Sequence, residues 1–128
     1  MKKICLLFSH NLTSEQTFDI ENKLKVNEVY KLSQKLQSQW SQVPTDEALK
    51  FGDYLEEIVL FLKTTLQVGD FVLIQGDFGA SYYMVNFCKE QGFVPIYSVN
   101  SRLSREVVEN GIVKKYSEFK HEFFREYE

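Results

Sequence analysis

Phe71-Val-Leu-Ile-Gln-Gly-Asp-Phe-Gly-Ala-Ser81 decides how the chain folds. Its apolar run is too short for a helix and nearly unbroken, as in a strand buried on both faces of a parallel sheet. A glycine-bracketed turn follows, then the opening of a helix. That arrangement lets backbone N–H groups face an anion beyond the strand's carboxyl end.

On the far side of the turn, a helix over 80–91 would bury Tyr83, Met84, Phe87 and Cys88, and Gly92 suits a left-handed C-terminal cap. A strand over 93–99 follows, with Pro95 near its beginning or at an edge. No helical pattern appears after Ser104, and Asn110-Gly111 signals a tight hairpin pairing 106–109 with 112–116. The aromatic and charged tail, with Phe123, Phe124 and Tyr127, extends that hairpin or forms an edge strand, and these rings suit an interface.

On the near side, Pro44-Thr45-Asp46-Glu47 reads as a helix start capped by Thr45. The helix would run to about Leu66, with Leu55, Ile58, Val59, Leu62 and Leu66 along one face. Further back, residues 3–9 form a strand. Thr13-Ser-Glu-Gln16 is a capping box for a surface helix over about 14–24. A short strand over 26–32, packed through Val29 and Tyr30, and a helix over about 34–42 capped by Ser33 complete the order. The result is one α/β domain over residues 1–128: a Rossmann-like three-layer fold with a parallel core sheet and an antiparallel C-terminal hairpin.

The 128 residues carry a net charge of −3, which argues against broad binding to duplex nucleic acid but leaves room for a small anion in one cleft. The apolar run after Lys2 and Lys3 is too short for a secretory leader, and no stretch would span a membrane. Cys5 and Cys88 fall in core elements without zinc-site spacing, as reduced thiols of a cytoplasmic protein do. No metal or cofactor is expected.

Three strand ends converge on one rim, where open parallel sheets bind ligands. They bring Ser9, His10 and Asn11; Gln75, Gly76, Asp77, Phe78 and Gly79, with Ala80 and Ser81 opening the helix; and Asn100, Ser101 and Arg102. Gly76 and Gly79 permit close approach of a phosphate or simply shape the turn. Asp77 is an N-cap, a group that orients a ribose hydroxyl, or a base. His10 transfers a proton or bonds its own loop, and Arg102 grips paired phosphate oxygens or a surface carboxylate. Phe78, Tyr82 and Trp40 stack on a base or fill the core. His121, in a strand beside Lys120, reads as a surface residue.

The stretches Leu6-Leu-Phe-Ser-His-Asn-Leu-Thr13, Gly69-Asp-Phe-Val-Leu-Ile-Gln-Gly-Asp-Phe-Gly-Ala80, Phe93-Val-Pro-Ile-Tyr97 and Phe119-Lys-His121 give the chain a resemblance to a known group. It resembles the small stand-alone Csx proteins of type III CRISPR systems, related to the CRISPR-associated Rossmann fold. The resemblance implies a homodimeric ring nuclease that binds and linearises cyclic oligoadenylate, the tetra-adenylate ring favoured. The ribose 2′-hydroxyl would attack its neighbouring phosphate without a metal. Placement on the rim, rather than any family motif, assigns catalytic roles to His10, Asp77 and Arg102, with the other rim residues holding the ring. Two rivals stand beside the nuclease: a sponge or sensor that holds the ring uncut, and an enzyme acting on nucleosides.

Overall fold

A computed structural model describes residues 2–128. Strands β1 (Lys2–Phe8), β2 (Val26–Lys31), β3 (Phe71–Gln75), β4 (Val94–Glu109) and β5 (Ile112–Glu126) form one sheet in the order β2-β1-β3-β4-β5. The first four pair in parallel, and β4 and β5 pair antiparallel, as the sequence led us to expect.

Side chains alternate along the central strands, so each strand feeds two cores. Cys5, Leu7, Val72 and Ile74 face a layer made by α2 (Gln34–Ser41), α4 (Glu56–Thr65) and α5 (Phe78–Gln91). Ile4, Leu6 and Leu73 face α1 (Ser14–Asn22), which supplies Ile20 to that core. Removing a fully buried side chain such as Leu62 or Ile74 costs about 2–5 kcal/mol.

Thr45 caps no helix, but three other caps read from sequence close as expected. Thr13 and Gln16 exchange both bonds of a capping box, Ser33 accepts the Leu36 N–H, and Gly92 ends α5 at φ 79°. Asn110 and Gly111 sit at φ 51° and 77°, the left-handed pair that a two-residue hairpin turn needs.

Several expectations are corrected. No helix runs from 45 to 66: residues 42–50 are irregular, and a short α3 (Phe51–Tyr54) precedes α4. The Asp46 carboxylate takes the Ala48 N–H at 3.0 Å and the Leu49 N–H bonds the Asp46 carbonyl, closing a local turn that competes with helix. Leu55, at ψ 8°, then breaks the chain between α3 and α4 and is itself fully buried. Val29 is exposed and Val26 fills the core instead, while Tyr83 is exposed on α5.

The fourth strand does not stop at Val99. Opposite a bulge in β5, where Glu122 is the extra residue between the partners of Val99 and Asn100, it continues to Glu109, paired with β5. Asn100, Ser101 and Arg102 therefore lie within a strand rather than beyond one. Past the bulge the two strands form a ribbon in which residues 102–106 and 108–120 are all exposed. Phe124 packs into the α1-side core and Tyr127 against the other, so the tail's rings are not a free patch; Phe123 is exposed. Among the described residues no helix is long and apolar enough to cross a membrane.

Candidate functional site

Strands β1 and β3 both run toward the same rim, where α1 and α5 begin, and Ser98 of β4 meets Gln75 there: its N–H donates to Gln75 Oε1 at 2.8 Å. Asp77 serves as the N-cap of α5, its carboxylate accepting the Ala80 N–H at 3.0 Å. The two glycines of the turn are required by what lies beneath it. A Cβ on Gly76 would sit 2.8 Å from the Trp40 ring nitrogen, and one on Gly79 would sit 2.7 Å from Phe51. Trp40 is buried and its ring N–H bonds the Gln75 carbonyl at 3.2 Å, so it anchors the turn and cannot stack on a ligand.

Above the turn, a cleft of about 470 Å³ opens between α5 and the end of β5. Gln75, Gly76, Phe78, Ser81, Tyr82 and Tyr97 are among its walls. Phe78 is 95% exposed and Tyr82 73%, so neither ring has a packing role in the folded chain. The Ser81 hydroxyl is buried and has no hydrogen-bond partner. Tyr127 closes one end, donating to the Ile74 carbonyl at 2.7 Å, and burial followed by the nearby Tyr97 pushes its phenol above the ordinary value. It therefore remains a proton donor at neutral pH.

Ser9, His10 and Asn11 line a different hollow, of about 250 Å³, with Gln34 and Gln37. The Ser9 and Ser41 hydroxyls meet at 2.9 Å, and the His10 ring stands edge-on to Phe8. On the ribbon, Arg102 donates to the Ser117 hydroxyl at 3.1 Å, Ser101 donates to Glu122 at 2.6 Å, and Asn100 is exposed. The three segments share a rim, but within one chain they do not share a cavity.

The most connected polar group at the rim includes Asn100 but centres on a histidine that the sequence places at the surface. His121 is buried, in contrast to the surface position expected of it. Its Nε2 lies 2.8 Å from the Asp19 carboxylate, and its Nδ1 meets the Ser98 hydroxyl. Gln16 donates to Ser98 at 3.3 Å, and Ser98 donates to Asn100 at 2.7 Å. Burial of four polar groups is tolerated because each is bonded to another. The bulge at Glu122 shifts the register so that His121 turns inward under α1. One sequence signal was available: Gln16, Asp19 and Ile20 share a helical face, so the apparently thin core stripe of α1 is partly polar.

A mostly parallel sheet in the 2-1-3-4 order, helices on both faces and a polar rim at the carboxyl ends define a Rossmann-like α/β protein. Within that class, the chain belongs to the uncharacterized protein MJ1673 family, whose model matches residues 2–125. It is 42% identical over 127 residues to the uncharacterized protein MJ1673 of Methanocaldococcus jannaschii, covering 99% of this chain and 98% of that protein. No solved structure matches it.

Proposed function

We propose that the chain, as a cytoplasmic homodimer, binds cyclic oligoadenylate over the carboxyl-end rim, the tetra-adenylate ring favoured, and linearises it. The observation that carries this reading is the cleft beside the Gly76 turn with Phe78 and Tyr82 exposed along it. Exposed aromatic faces accept nucleobases by stacking, worth about 1–3 kcal/mol per base. The amide nitrogen of Gln75, on the wall of the cleft, offers a hydrogen bond to a base edge or a ribose. The sequence resemblance supplies the identity of the ligand.

In this reading the ribose 2′-oxygen bonds to the adjacent phosphorus and the bond to the 5′-oxygen breaks. The products carry a 2′,3′-cyclic phosphate and a 5′-hydroxyl. A proton leaves the 2′-hydroxyl and another reaches the 5′-oxygen. His10 handles proton transfer, and Arg102 offsets charge on the phosphoryl oxygens. Asp77 spends one carboxylate oxygen on the Ala80 N–H and has the other for a ribose hydroxyl.

A second reading, a sponge that holds the ring uncut, is favoured by the capping role of Asp77 and by the separation of His10 from the cleft. Incubation of the purified protein with cyclic tri-, tetra- and hexa-adenylate, with and without a chelator, decides between them. Linear products with a cyclic-phosphate end, formed equally in chelator, support the nuclease. Intact ring in a retarded gel band supports the sponge, and no binding of any ring removes both.

A further inference from the structure

The ribbon formed by β4 and β5 beyond the bulge is longer than its own packing explains. An isolated two-stranded hairpin is marginal in water, yet this one extends unsupported for about nine residues per strand, about 30 Å. Its surface is not that of a solvated loop. Leu103 and Ile112 lie on one face, and Val108, Val113 and Phe119 on the other, all more than half exposed. Three cross-strand ion pairs, Arg105–Glu118, Lys114–Glu109 and Lys115–Glu106, hold the two strands in register.

Charge says what fits it. Residues 100–120 carry five Lys or Arg against three Asp or Glu, a net of +2 in a chain of −3, so the rest of the chain carries −5. With the ion pairs counted, the surplus cations are Arg102 and Lys120 at the root. The body in turn concentrates exposed acids: Asp46, Glu47, Asp53 and Glu56, beside a Glu57 paired with Lys35, lie within twelve residues that contain one lysine. Two ribbons would repel each other, whereas a ribbon on the acidic body of another copy would not.

We propose that the ribbon is an arm that docks on the body of a second copy of this chain, reciprocally about a two-fold axis. Two arms and the two surfaces beneath them remove about 1,200 Å² from water, which reaches the size of a specific interface. Reciprocal exchange closes the assembly at two chains, so the arm does not seed filaments. The proposal rests on the homodimer of the proposed function and says how its two chains join; Arg102, at the root of the arm, is shared with the chemistry at the rim.

Sedimentation velocity of the full chain across a concentration series tests it, with Val113→Glu and Phe119→Ser measured beside the wild type. Both substitutions are at exposed positions, and a thermal melt checks that each variant folds. The expected result is a two-chain mass for the wild type, association at least tenfold weaker in each variant, and weakening with added salt. A wild type that stays monomeric, or variants that associate as tightly as the wild type, overturns it. So does a monomeric wild type whose ribbon amides gain protection from hydrogen exchange only when single-stranded oligoribonucleotide is added. Ring cleavage by a protein whose two variants dimerise as tightly as the wild type would leave the proposed function standing while the arm falls.

Discussion

His121 on β5 and Asp19 on α1 stand 102 residues apart in sequence and are joined by a buried 2.8 Å bond. The contact fastens the root of the ribbon to the helix that covers the second face of the sheet. Breaking a buried pair leaves its surviving member poorly solvated, at a cost of about 3–5 kcal/mol. Lys23 reaches Asp19 only at 3.6 Å from a largely exposed position and compensates little. His121→Ala should therefore lower the free energy of unfolding by about 3 kcal/mol in urea titrations. A change under 1 kcal/mol would show the pair to be dispensable.

The glycines of the turn distinguish packing from ligand approach. A Cβ at position 76 or 79 collides with Trp40 or Phe51, so Gly76→Ala and Gly79→Ala should each cost about 1–3 kcal/mol of stability. If they existed for the ligand alone, the variants would melt like the wild type and lose only binding.

Phe78→Ala should do the reverse. A ring 95% exposed contributes little to folding, so stability should stay within about 0.5 kcal/mol. Loss of one stacked base should weaken binding of the tetra-adenylate ring by about tenfold or more in a direct titration. Unchanged affinity would remove the aromatic lip from the site.

Burial pushes both thiols, Cys5 and Cys88, up to about 12. The reactive thiolate is then scarce at pH 8, and a maleimide should label neither cysteine in the native protein over an hour, but both in denaturant. Rapid native labelling would mean that the α5 side of the core opens.

Much of this architecture was legible in the residues because it rests on local chemistry. The apolar run at 71–74, the capping box at Thr13 and the Asn110-Gly111 turn each act within a few positions, and each does what its residues dictate. The absence of helix over 45–50 was hidden because Asp46, a good first-turn residue by type, spends its carboxylate on a competing turn. The polar group around His121 was hidden for a different reason. A one-residue bulge inverts which side of a strand faces inward, and Glu122, the extra residue of β5, does not announce it. The rim itself was found in outline, but its division into separate hollows depends on helix placement that periodicity does not encode.

On the second face of the sheet, α1 contributes one fully buried apolar side chain, Ile20, and otherwise holds on through Gln16 and Asp19. Such an attachment has little hydrophobic reserve and is lost all at once when its bonds part. Amides of α1 should then exchange with solvent together with those at the ribbon root, through one opening event of lower free energy than that of β1 and β3. The fold carries its weakest seam along the side where its most elaborate hydrogen bonding lies.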